Sequence, residues 1–147
     1  MSGQIEPGPR ILLLGIESTM TDHLEDILSR GRFKVYVRPF LPASQCLEPI
    51  AALGPDVVCC SSEQRRYARL VESMKSWGMK VPVVVVSAAP ELAEWLDVIE
   101  AGAWDYIGPP LESAHLQFVL ENAMRCAGAT AERPVPGPQR ARLLGSA

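Results

Sequence analysis

Along most of the chain, short apolar runs alternate with longer stretches of helical periodicity. The runs occupy residues 11–14, 35–37, 57–60, 83–86 and 106–107, so successive starts lie 22 to 26 residues apart. The third and fourth are unbroken, as expected of strands covered on both faces. Between them, apolar positions recur at the three- and four-residue spacing of a helix face. Met20, Leu24, Ile27 and Leu28 form one stripe; Tyr67, Leu70, Val71, Met74 and Trp77 form another. Leu92, Trp95, Leu96 and Ile99 form a third, and Leu116, Val119, Leu120 and Ala123 a fourth. Gly31, Gly78, Gly102 and Gly128 follow these stripes and act as helix stops. Leu47, Ile50 and Leu53 mark a weaker helix, with Pro49 in its first turn or kinking it. Five such units predict an α/β fold: a three-layer, doubly wound (βα)5 sandwich on a parallel five-stranded sheet, order 2-1-3-4-5.

Composition sets the outer limits. The chain has 147 residues, enough for one domain with a proper core. Residues 1–9 read as a flexible N-terminal arm, 10–127 as the folded domain and 128–147 as a flexible tail rich in Pro and Gly. Hydrophobic residues make up 48% and charged residues 21%, and the net charge is −3, so no broad basic field for nucleic acid is expected. Arg65, Arg66 and Arg69 cluster, with Arg65 and Arg69 one turn apart on a helix; a solvated face is the expected reading and an anion patch the alternative. No apolar run is long enough to span a bilayer and the N-terminus has no signal core, which predicts a soluble, cytoplasmic protein without a membrane partner. The four cysteines include no CxxC; Cys59 and Cys60 point to opposite faces of a strand and are expected to be buried and inert.

In an open α/β sheet, ligands bind outside the carboxyl ends of the strands. Gly15, Ile16 and Glu17 follow the first strand, Ser61 and Ser62 the third, Ser87 the fourth, and Gly108, Pro109 and Pro110 the fifth. This crest offers one carboxylate and neither histidine nor lysine, so catalysis is not expected. Glu17, even if joined by Glu63, makes a weak metal site, and no metal or other cofactor is expected.

Four segments carry a resemblance: RILLLGIES at strand one, GPDVVCCS at strand three, VPVVVVSA at strand four and GAWDYIGPP at strand five. In this order and spacing the chain resembles a receiver domain of bacterial two-component response regulators, a flavodoxin-like fold. The resemblance implies a phosphorelay module. An aspartate ending strand three takes the phosphoryl group, an acidic pair after strand one holds magnesium, and a Ser or Thr with a Lys grips the phosphoryl oxygens. A strand-five aromatic then swings inward and remodels the face made by helix four, strand five and helix five.

Mapped residue by residue, the chain departs from that pattern. Ser61 stands at the acceptor position, Gly15 and Ile16 at the acidic pair with Glu17 following, and Pro109 at the lysine. Ser87 and Tyr106 match the switch pair. A serine hydroxyl is a poor nucleophile without a base, and Ile16 cannot ligate a hard cation. The resemblance is therefore to a degenerate, or pseudo-, receiver. Ser61 is read as a polar cap on a strand end, with a phosphorylated serine as the alternative, and Ser87 as a local hydrogen-bonder. Tyr106 could still alternate between inward and outward states selected by a partner. Pro109–Pro110 can hold a cis bond, which the family often has there.

The expected function is phosphate-independent protein–protein interaction, with a signalling protein or a second copy as partner, through the helix four, strand five, helix five face. Trp104, Tyr106 and Trp95 are the interface residues considered, Trp104 as an exposed aromatic and Trp95 as core with surface as its alternative. His23 and His115 are expected at the surface. A flavin- or phosphate-binding domain is the alternative function, since Ser18, Thr19 and Thr21 sit at a helix N-terminus. Capping by Thr19 or Thr21 explains the same residues.

Overall fold

The computed structural model describes residues 8–126. Five parallel strands form one sheet, β1 (Arg10–Leu14), β2 (Lys34–Arg38), β3 (Val57–Ser61), β4 (Val83–Val86) and β5 (Asp105–Ile107), in the order β2-β1-β3-β4-β5. The helices are α1 (Ser18–Ser29), α2 (Ala43–Leu53), α3 (Arg66–Ser76), α4 (Leu92–Glu100) and α5 (Ser113–Cys126). The expected fold class and strand order are the ones observed. The tail expected over 128–147, and all but the last two residues of the arm over 1–9, lie outside the described residues.

The period-two alternation of the strands separates two cores. Ile11, Leu13, Val57, Cys59, Val84, Val86 and Ile107 face α1 and α5, where they meet Leu24, Leu28, Leu116 and Leu120. Leu12, Leu14, Val58, Cys60, Val85 and Tyr106 face the other layer and meet Ile50, Leu70 and Val98. Cys59 and Cys60 thus lie on opposite faces, and burial pushes both thiols up, Cys59 to about 12. Among the described residues no helix is long and apolar enough to cross a membrane.

The α1 and α5 stripes are buried as expected. Two expectations fail elsewhere, and one is narrowed to a single alternative. Trp77 is not part of the α3 stripe: it caps the helix C-terminus, past the last turn, and is exposed. Pro49 is the seventh residue of α2 rather than part of its first turn, because the helix already starts at Ala43, after Pro42. The α4 stripe is rotated. Leu92 and Leu96 are 41% and 50% exposed, Trp95 and Ile99 are half-buried, and Val98 is the one fully buried side chain of the helix. Glu94 and Asp97 turn inward instead, for a reason found at the site.

Shortening a side chain of a filled stripe leaves a cavity, whereas shortening an exposed one does not. Leu24→Ala is expected to lower stability by about 3 kcal/mol in a urea titration, and Leu96→Ala by less than about 0.5 kcal/mol. Equal losses would contradict the rotation of α4.

Candidate functional site

The crest was expected to be an open crevice, but its two ends are closed by neighbouring loops. Gly15 leaves β1 with φ +59 and donates its N–H to the Arg38 carbonyl at 3.0 Å. A Cβ at this position would lie 2.5 Å from Phe40 Cβ, so the Phe40 side chain occupies the space a side chain at 15 would need. The Arg66 guanidinium covers Phe40 in turn, 4.7 Å from its ring centroid. At the other end, a Cβ on Gly108 would lie 2.2 Å from Pro90 Cγ and 2.6 Å from the Ser87 carbonyl oxygen. The Pro109–Pro110 bond beyond it is cis.

Glu17 is engaged locally. It is the N-cap of α1, and its Oε1 accepts from the Met20 N–H at 2.7 Å. The expected caps, Thr19 and Thr21, lie inside the helix; the Thr21 hydroxyl donates back to the Ile16 carbonyl at 2.9 Å. A carboxylate at this helix N-terminus repels an anion, which argues against a flavin-type phosphate loop. Ser61 is the last residue of β3, not a residue beyond it, and pairs with Val86. It is buried, and its hydroxyl accepts from the Glu63 N–H at 3.1 Å. Ser87 accepts from the Ala89 N–H at 3.2 Å.

The residues at the family's magnesium positions do not fit that ion. Gly15 has no side chain and no room for one, Ile16 has no donor, and the Glu17 carboxylate is committed to the helix cap. Among the described residues, no three His, Cys, Asp or Glu side chains are grouped to hold a metal.

Beside the crest, two phenols hold α4. Tyr106 is fully buried and turned inward; its hydroxyl donates to Glu94 Oε1 and accepts from the Glu91 N–H at 3.1 Å. Tyr67, on α3, donates to Asp97 Oδ2. Asp97 also receives Arg65 Nε at 2.7 Å and Nη2 at 2.9 Å, a two-pronged pair. These bonds, Arg65 first and Tyr67 second, hold the Asp97 carboxyl below its usual range. Burial, and then the carboxylate partner, push both tyrosines up to about 12. A buried hydroxyl must find an acceptor, so α4 turns Glu94 and Asp97 toward the two phenols, Asp97 at the rim with its side chain 36% exposed, and its leucines outward.

Two interface expectations are corrected accordingly. Tyr106 offers no surface, and Trp104 is half-buried against the α1–α5 core, where β5 begins. Trp95 also packs partly against the core. His23 is exposed as expected, whereas His115, in the first turn of α5 next to the buried Leu116, is half-buried. Arg65 is not on a helix face. Gln64 and Arg65 both adopt left-handed backbone, φ 57 and 52, at a cost of about 1–3 kcal/mol each, and this turn aims Arg65 at Asp97. Phe40 was missed altogether; its only signal was an aromatic between two prolines, RPFLP, at the carboxyl end of β2.

No family model matches the chain, and no curated protein matches it in sequence. Solved structures do. The chain is similar to NtrX from Brucella abortus in complex with ADP: 25% identity, 82% of this chain and 27% of that one, TM-score 0.68. It is similar to the signal receiver domain of an HD domain-containing protein from Pseudomonas fluorescens Pf-5: 19% identity, 83% of this chain and 98% of that one, TM-score 0.65. A response regulator receiver domain protein from Clostridium thermocellum is 17% identical over 84% of this chain and 99% of that one, TM-score 0.64. The chain therefore spans 27% of the length of NtrX and nearly all of the two separate receiver domains. Its fold is that of response-regulator receivers.

Tyr106→Phe removes the hydroxyl from Glu94 and the Glu91 amide. It is expected to lower stability by about 1–2 kcal/mol and to speed hydrogen exchange along α4 more than along α1. The tyrosines also set an alkaline limit. An unfolded tyrosine ionises near pH 10, and Tyr67 and Tyr106 in the folded chain near 12, so their contribution is complete below about pH 10 and is lost as pH rises towards 12. Absorbance at alkaline pH should show two tyrosines ionising only as the fold opens.

Proposed function

We propose that this chain, built on the receiver fold, is a two-component signalling module that works without aspartyl phosphate, by protein–protein contact. The observation that carries the reading is Phe40 over Gly15: the place of the acidic pair is filled by a phenyl ring. Two further positions agree. Ser61 has a hydroxyl where an acyl phosphate needs a carboxylate, and that hydroxyl already caps the Glu63 amide. Pro109 supplies no cation for a phosphoryl oxygen. No phosphotransfer step is assigned to these residues, and the module is read as non-enzymatic and cytoplasmic.

The contact surface is the face of α4, β5 and α5. Its apolar contribution comes from Leu92 and Leu96 on α4 and Phe118 on α5, all exposed, rather than from the tryptophans. A partner, whether another signalling protein or a second copy of the chain, would read the stance of α4. That stance is held by Tyr106 in its inward state, hydrogen-bonded to Glu94.

Beryllofluoride with magnesium mimics a phosphorylated aspartate. Added to the labelled protein, it is expected to leave the amide NMR spectrum unchanged. Saturable shifts at Ser61, Ser87 and Tyr106 would overturn the phosphate-independent reading. Ser61→Ala, which loses one partly buried cap, is expected to lower stability by about 1 kcal/mol or less and to preserve the fold.

A further inference from the structure

Outside the crest, three arginines line a groove of about 630 Å³ between the loop leading into α2 and the start of α3. Arg65, Arg66, Arg69 and Glu72 supply its charged walls, three cations against one anion in a chain of net charge −3. Phe40 lines the same groove, under Arg66. Like charges gathered in one concavity repel unless an anion joins them.

Each arginine is placed differently. Arg66 lies over the Phe40 ring, its Cζ 4.7 Å from the centroid, and its Nε is buried with no hydrogen-bond partner among the described residues. A buried donor of this kind calls for an acceptor. Arg69 is exposed, one turn along α3, with no ion partner among the described residues. Arg65 lines the same groove but is held by Asp97 of α4, and its side chain remains 66% exposed, open to a competing anion. Guanidinium forks match the paired oxygens of a phosphoryl group, and the volume is that of a small-molecule site.

We propose that this groove binds a small phosphate-bearing ligand, and that the ligand competes with Asp97 for Arg65 and so loosens α4. The binding site stands on its own residues; its role as an input to the α4 face rests on the functional reading above. Aspartyl phosphate acts at the end of β3, whereas this input acts at the start of α3 and reaches the same helix through one ion pair. Tyr67 would keep its bond to Asp97 when Arg65 leaves, so α4 is loosened rather than released.

Inorganic pyrophosphate is the probe, titrated into the full chain at low ionic strength and followed by amide and indole NMR. Saturable shifts are expected at Phe40, Arg65, Arg66 and Arg69, together with Asp97 and the Trp95 indole on α4. Arg69→Ala should weaken binding about tenfold, the loss of one charge-assisted contact. Asp97→Asn should tighten it about threefold by freeing Arg65 from an exposed ion pair. Glu100→Gln makes the same charge change on the same helix, without touching Arg65, and should leave affinity unchanged. The proposal is overturned if no saturable shift occurs, if Arg69→Ala binds as the parent does, or if Asp97→Asn and Glu100→Gln behave alike. Such a failure would leave the phosphate-independent reading standing, since beryllofluoride probes that at Ser61.

Discussion

Two phenols must find acceptors in a largely apolar interior, and both find them on the same short helix. Tyr106 reaches Glu94 from the sheet, and Tyr67 reaches Asp97 from α3. The carboxylates are three residues apart and therefore share one face of α4. With Val98 as its only fully buried side chain, α4 gains little from apolar burial, so these bonds decide its rotation. The rest of this flank follows: the leucines that solvent sees, the aspartate that Arg65 can reach, and the left-handed turn that brings Arg65 there.

The crest is shaped by a different constraint. In a doubly wound sheet the carboxyl ends of the strands leave a crevice. Here two glycines let neighbouring loops settle into it, Phe40 onto Gly15 and Pro90 onto Gly108. The backbone polar groups that remain are met from nearby. Glu17 caps the start of α1, Ser61 takes the Glu63 amide and Ser87 the Ala89 amide. The chemistry left there is self-contained, and one element away, in the arginine groove, Arg66 Nε is a buried donor with no partner among the described residues.

The fold could be read because its causes are local. Strand runs such as 83–86 and the stripes of α1 and α5 follow from burial on fixed periods, and the sheet order follows from five repeats of one unit. Where periodicity met a long-range polar partner, it misled. Leu92 and Leu96 have core spacing, yet carboxylates 94 and 97 turn inward because tyrosines from 67 and 106 await them. Phe40 over Gly15 joins residues 25 positions apart that no pattern relates. Arg65 looked helical because nothing local announces a left-handed turn at Gln64 and Arg65, neither of which is a glycine. The local hydrogen bonds of the serines at 61 and 87 were legible, since a short hydroxyl at a strand end bonds its own loop.

The ring of Phe40 also orders the mutational paths open to the chain. An aspartate introduced at position 15 would meet that ring and would have to adopt a left-handed backbone. It becomes tolerable only after residue 40 shrinks. Yet a smaller residue 40 strips Arg66 of its stacking surface before the new carboxylate has brought any metal. Each single step is unfavourable alone, so the acidic site is separated from this sequence by a sign-epistatic barrier rather than by a count of substitutions. Selection for stability alone would preserve the closed crest, without any selection for a task performed there.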